Sequence, residues 1–183
     1  MGGAAGFHPL LREYFARRFG SPTEIQEMVW PVASSGRHLL ALAPTGSGKT
    51  LAAFYSFIND FVTGRLATGT TRLLYVSPLK ALNNDIRRNL LLPLEERQAE
   101  FEKAGLDIPE IRVVTRSGDT PQSERNRMRR HPPEILITTP ESLNLLLASG
   151  TAGLMLNGLR AVIVDEIHAI APGLRGAHLM TAI

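Results

Sequence analysis

The chain has 183 residues, 44% of them apolar and 20% charged, and a formal net charge of +3. That length gives one domain with a full core rather than two large ones, and the balance is that of a folded globular protein, not a disordered or fibrous one. No apolar run reaches the roughly 18 residues of a membrane span, the start MGGAAGFHPLLREYF lacks the basic flank and apolar stretch of a secretion signal, and the absence of cysteine excludes disulfides and thiolate metal sites.

Met1 to Gly6 reads as a flexible start, and amphipathic patterns then predict helices at His8–Arg18 and Pro22–Ala33. The apolar run Leu39–Ala43 predicts a first strand, ending on a glycine-rich loop that opens a helix at Thr50–Val62. Gly64 to Gly69 is a loop, Leu73–Val76 a strand, and Leu79–Leu92 a helix with an extension to about Lys103. Strands at Ile111–Thr115, Ile135–Thr138 and Ala161–Val164 alternate with helices at Gln122–Arg130 and Pro140–Ala148; Pro132-Pro133 marks a helix stop. Trp30 and the phenylalanines fall on apolar faces and read as core, and His8, His38, His131 and His178 form no metal-like spacing.

Each strand is short and almost continuously apolar, as a strand covered on both faces must be. Strands joined by helical crossovers predict an α/β fold, a central parallel sheet with helices on both faces. Such sheets bind ligands beyond the carboxyl ends of their strands. The loops at that edge are PTGSGKT, SPLKAL, RSGDTP, TTPESL and DEIHAI, and each carries small or hydroxylic residues, a charge, or both.

In APTGSGKT, glycines let the backbone wrap a phosphate with its N–H groups inward, and the following helix adds its positive end. Thr45, Gly46, Ser47 and Gly48 would line the loop, Lys49 would reach the β and γ phosphates, and the Thr50 hydroxyl would ligate Mg²⁺. Ala43 stands where the strict pattern has its first glycine. These residues predict a nucleoside triphosphate, and a hydrolytic site needs carboxylates as well. AVIVDEIHAI supplies Asp165, to hold Mg²⁺ through its hydration shell, and Glu166, to orient and polarise water. Arg125, Arg127, Arg129 and Arg130 lie within about two helical turns, which suits a solvated face or an auxiliary electrostatic surface.

Taken together, APTGSGKT and DEIH resemble motifs I and II of the superfamily 2 helicases, SPLKAL is similar to motif Ia and TTPESL to motif Ib. FGSPTEIQ resembles the Q-motif, which would place Gln26 on the adenine edge with Phe19 near it. The combination of SPLKALNND, RSGDTPQSERNRMRRHPPEILITTPESL and DEIHAIAPGLRGAHL is closest to the large helicase-related (Lhr-type) proteins, from about Phe7 to the last residue. The resemblance implies a RecA-like P-loop NTPase domain using ATP and Mg²⁺ on single-stranded DNA, with RNA as the alternative, and a cytoplasmic location without a membrane partner. It implies nucleic-acid contacts from Ser77, Lys80, Arg116, Ser117 and Thr139, and a coupling role for His168. In that family a second RecA-like lobe supplies an arginine finger; residues 1–183 are expected to be a first RecA-like domain, incomplete at its C-terminus and lacking that lobe. Two rival readings are a P-loop kinase, which would need an arginine-rich lid that no segment suggests, and a nucleotide-gated nucleic-acid-binding module without catalysis.

Overall fold

The computed structural model describes residues 6–78, 91–92, 96, 98–106, 108–171, 176–177, 179 and 181. They fall into two compact units, Met1–Leu66 with Glu100–Asp107, and Ala67–Ala99 with Ile108–Ile183. The first holds helices α1 (Pro9–Phe19), α2 (Glu24–Ser34) and α3 (Lys49–Val62). Pro9 opens α1, where a missing N–H costs nothing, and His8 Nδ1 accepts from the Leu10 N–H at 3.3 Å. Gly20 ends it at φ +78°. The core of this unit is aromatic: Phe7 and Phe15 each bring their rings within 5.0–5.3 Å of Trp30 and Tyr55, which lie 5.8 Å apart. Tyr55 keeps its phenol satisfied by donating to the Leu11 carbonyl at 2.6 Å, which ties α3 to α1. Burial pushes that phenol up from its ordinary value, and the nearby Tyr14 adds to the shift.

The second unit is built on four strands, β1 (Leu73–Val76), β2 (Val113–Arg116), β3 (Ile135–Thr138) and β4 (Ala161–Val164), in the order β2-β3-β1-β4 with every pairing parallel. The helices after α3 are α4 (Gln98–Lys103), α5 (Gln122–Arg130), α6 (Pro140–Ala148), α7 (Ala152–Leu156) and α8 (Ile167–Ile170). Leu74, Val76 and Leu136 point from one sheet face into a cluster with Met128 of α5, Leu143 and Leu146 of α6, Met155 of α7 and Ile170 of α8. The alternate positions Leu73, Tyr75, Ile135 and Ile137 are buried too, so both faces of the central strands are covered. Among the described residues no helix is long and apolar enough to cross a membrane.

Where the patterns were strong, the elements stand as expected: β1, β3, β4, α5 and α6 have the anticipated ends. The strand expected at Ile111–Thr115 is shifted to Val113–Arg116, because its ladder partner is Ile135–Thr138. Leu39–Ala43 is not a strand, and Leu39, Leu40 and Leu42 are 42%, 69% and 81% exposed. A run of aliphatics signals a preference for burial, whereas a strand exists only through a neighbour's N–H and C=O groups. The helix expected from Leu79 falls largely outside the described residues; α4 is the part of its extension that is seen.

At the amino end of the sheet Glu134, 1% exposed, clasps two segments. It accepts from the Gly69 N–H at 2.8 Å, the Arg112 N–H at 2.9 Å and the Arg112 guanidinium at 3.3 Å. Removing a buried acceptor strands its donors. Glu134→Ala is expected to cost about 2–4 kcal/mol of stability in urea unfolding; a loss under about 0.5 kcal/mol, the scale of an ordinary surface change, would show that the clasp is dispensable.

Candidate functional site

The glycine-rich segment of the first unit ends in a helix start. Gly46 and Gly48 have φ of +80° and +88°, and Gly48 is the residue at which α3 begins. The first N–H groups of a helix have no intrahelical partner and face whatever precedes them. Two side chains from the entry to α2 brace this turn from behind. Thr23 donates its hydroxyl to the Ser47 carbonyl at 2.8 Å, and Gln26 donates its amide to the Gly48 carbonyl at 3.3 Å. Gln26 Oε1 accepts from the Thr23 N–H at 3.0 Å, so the amide expected to face a base is 3% exposed and engaged on both ends. Lys49 Nζ lies 2.8 Å from the Pro44 carbonyl and 2.5 Å from that of Ala43, folded over the loop where an anion's oxygens would compete for it. The Ser47 hydroxyl is buried without a hydrogen-bond partner. Left-handed glycines, an ammonium over the turn and an orphaned hydroxyl inside it are what a phosphate-binding loop requires. Thr45 is exposed and Thr50 stands half-buried in the first turn of α3.

In the second unit the acidic pair follows β4. The Asp165 N–H donates to the Val76 carbonyl at 2.9 Å, carrying the ladder one residue past the strand. Its Oδ2 accepts from the Tyr75 hydroxyl, and its Oδ1 accepts from the Glu166 N–H at 2.9 Å. Tyr75 is pushed up from its usual value by burial first, then by its hydrogen bond to Asp165. Glu166 is the one non-glycine residue with positive φ among the described residues, at φ 51° and ψ 42°. A side chain in that region costs about 1–2 kcal/mol, which is consistent with a local demand on where the carboxylate points. Its Oε2 lies 3.3 Å from His168 Nε2, and His168 is well exposed. No group of three or more His, Asp or Glu gathers among the described residues.

The remaining loops at the carboxyl edge of this sheet are held from within. Arg116 is 6% exposed and donates to the Ser142 carbonyl at 2.6 Å, joining the end of β2 to the first turn of α6. Burial, and the charge of Arg125 beside it, lower its pKa from the usual arginine value. Arg125 donates to the Gly118 and Thr120 carbonyls, both at 2.8 Å. It therefore holds the RSGDT turn, while Arg127, Arg129 and Arg130 are exposed. Thr139 caps α6, its hydroxyl accepting from the Ser142 N–H at 3.3 Å. Ser77 and Ser117 are buried, at 3% and 7% exposure, and Lys80 lies outside the described residues. Of the expected strand contacts, Thr139 is the described side chain that stays half-exposed. A cavity of about 300 Å³ opens among these loops, lined by Pro78, Gly118, Thr139, Pro140 and, from α8, Ala169 and Ile170. Sequence reasoning does not single out Thr23 or Tyr75. The single aromatic in LLYV reads as core, and the available signal is that its hydroxyl needs a partner once buried.

The two loop glycines predict different costs. A Cβ at Gly46 meets nothing within 4 Å, whereas one at Gly48 falls 2.4 Å from Gln26 Nε2. Gly46→Ala is therefore expected to cost about 1 kcal/mol, the left-handed penalty alone, and Gly48→Ala about 2–4 kcal/mol once overpacking is added. Urea unfolding of both variants checks this, and equal losses would contradict the bracing role of Gln26.

The DEAD/DEAH box helicase family matches residues 23–183 of the chain. The Lhr helicase/uracil glycosylase of Escherichia coli (strain K12) is 47% identical over 184 residues, covering 97% of this chain and 12% of that protein. The ATP-dependent helicase Lhr-Core of Methanothermobacter thermautotrophicus is 45% identical over 181 residues, covering 96% of this chain and 21% of that protein. Among solved structures, the Mycobacterium smegmatis helicase Lhr bound to ssDNA and AMP-PNP aligns at a TM-score of 0.88 and 46% identity, over 100% of this chain and 23% of that one. The chain thus spans less than a quarter of the length of each of these proteins. The parallel sheet with its helices matches the RecA-like fold of such helicases. The chain belongs to the DEAD/DEAH box helicase family and has its similar relatives among the Lhr-type helicases.

Proposed function

We propose that this chain is the nucleotide-binding RecA-like part of an Lhr-type helicase, in which ATP hydrolysis drives movement along single-stranded DNA. The observation that carries the reading is the loop at α3, which combines two left-handed glycines, an unpartnered buried serine hydroxyl and a Lys49 ammonium folded back onto the loop's own carbonyls. The similar M. smegmatis protein is seen with ssDNA and AMP-PNP, which supports the choice of ligands.

In this reading Thr45, Gly46, Ser47 and Gly48 wrap the phosphates, Lys49 neutralises the β and γ groups, and Gln26 braces the loop, its buried amide reaching the adenine edge only by exchanging its bonds to Gly48 and Thr23. Magnesium, when bound, spreads the charge that builds between the β and γ phosphates. Thr50 and Asp165 are the residues that would hold it, and their hydroxyl and carboxylate oxygens fit a hard cation. Glu166 orients the attacking water and takes its proton as the γ-phosphorus to β-γ bridging-oxygen bond breaks. His168, beside Glu166, relays the state of that carboxylate to the rest of the protein. Thr139, with Ser77, Lys80, Arg116 and Ser117, belongs to the loops that grip the strand. Ser77, Arg116 and Ser117 are buried, and the Ser77 and Ser117 N–H groups already donate to the Thr138 carbonyl and the Thr120 hydroxyl, so their share falls to positioning loops that read phosphates and not bases.

An arginine finger from a second lobe is worth about 10³–10⁵ in rate in comparable phosphoryl transfer. The chain alone is therefore expected to bind ATP and single-stranded DNA but to turn over slowly, and a longer chain carrying the second lobe to show DNA-stimulated hydrolysis. In the longer chain Lys49→Ala should weaken ATP binding, while Glu166→Gln should bind ATP and lose at least 100-fold in turnover, on the order of a general-base contribution. Strong DNA-stimulated activity from the 183 residues alone would contradict the need for a second lobe, and normal hydrolysis by both variants would overturn the assigned roles.

A further inference from the structure

Tyr75 is the third residue of β1, in register with Ile137 of β3 and Ile163 of β4. It is 1% exposed, in a strand whose other members are Leu73, Leu74 and Val76. Shape alone would be served by phenylalanine there, since a buried hydroxyl gains nothing unless it is hydrogen-bonded. The hydroxyl spans from β1 to the residue just past β4 and donates to Asp165 Oδ2.

Asp165 is otherwise held by its own N–H on the Val76 carbonyl and by the Glu166 N–H on Oδ1, both at 2.9 Å. The backbone bond sets where the residue sits but leaves the carboxylate free to turn, because the terminal torsion of an aspartate is broad. Donors on both oxygens, one from the neighbouring strand and one from the next residue, remove that freedom. Each carboxylate oxygen accepts two hydrogen bonds, so one lone pair on each stays available in a fixed direction. Glu166 shares in the same arrangement, since the N–H that binds Oδ1 belongs to the residue held at φ 51°.

We propose that Tyr75 is a positioning residue for the magnesium carboxylate, its hydroxyl fixing the plane of Asp165 so that the free lone pairs meet the metal's hydration shell. The proposal rests on the reading of Asp165 as that carboxylate. Groups that orient metal-binding carboxylates from behind are typically worth 10–100-fold in metal affinity, and the loss of this hydroxyl should fall in that range.

The test uses the 183-residue chain, a fluorescent ATP analogue and a magnesium titration, with Tyr75→Phe beside Asp165→Asn. Tyr75→Phe is expected to raise the magnesium concentration for half-maximal tightening of nucleotide by about 10-fold, leaving affinity in EDTA unchanged. Asp165→Asn is expected to remove most of the magnesium dependence. If Asp165→Asn shows the loss and Tyr75→Phe titrates like the parent, the positioning role is overturned and the metal reading stands. A Tyr75→Phe that binds equally weakly with and without metal marks a loosened core and also overturns it. A parent chain without magnesium dependence, or an Asp165→Asn that keeps it, removes the metal reading and the proposal with it.

Discussion

Four parallel strands must all end on the same edge. Because β1, β2, β3 and β4 run one way, each loop that follows a strand in the second unit opens on that side. Residues far apart in sequence, near Ser77, Ser117, Thr139 and Asp165, are thereby gathered along one edge. The cost of this geometry is that each return passes through a crossover, and the helices of those crossovers bury Leu74, Val76 and Leu136. The same apolar packing that stabilises the sheet sets the helix starts from which the loops hang.

Packing places the loops to within a side chain's length, and buried polar bonds set the rest. Arg116 ties the end of β2 to the first turn of α6, Arg125 holds the RSGDT turn by its carbonyls, and Tyr75 fixes Asp165. In the first unit Thr23 and Gln26 do the same for the glycine-rich turn. Each is a polar side chain bonded to backbone or to a functional group. A buried hydrogen bond is worth only about 1 kcal/mol net, but an unmade one costs more than that, so such bonds select one loop conformation sharply while adding little to overall stability.

That division explains what could be read from the residues and what could not. The apolar runs at Leu73–Val76, Ile135–Thr138 and Ala161–Val164 and the loops after them were legible, because burial on both faces leaves an unbroken aliphatic signature. Leu39–Ala43 carries the same signature without being a strand, since pairing depends on a neighbour the run itself does not encode. Lys49, Thr50, Asp165 and Glu166 are proposed as chemistry from their spacing and neighbours; the structure sets the first two in the first turn of α3 and the other two just past β4. The resemblance implies a nucleic-acid contact from Arg116, whose guanidinium donates to the Ser142 carbonyl; a charge at a strand end looks the same in sequence whether it points out or in. Tyr75 was hidden for the converse reason, an aromatic in a core strand whose importance lies in one oxygen atom.

The glycine-rich loop at α3 is proposed to hold a magnesium-bearing triphosphate, with Lys49 on the phosphates and Thr50 on the metal. The most direct measurement is the affinity of Lys49→Ala and Thr50→Ala for an ATP analogue, each with magnesium and in EDTA. Lys49→Ala is predicted to lose affinity in both conditions and Thr50→Ala only with magnesium. Equal losses by the two variants in both conditions would contradict that division of roles.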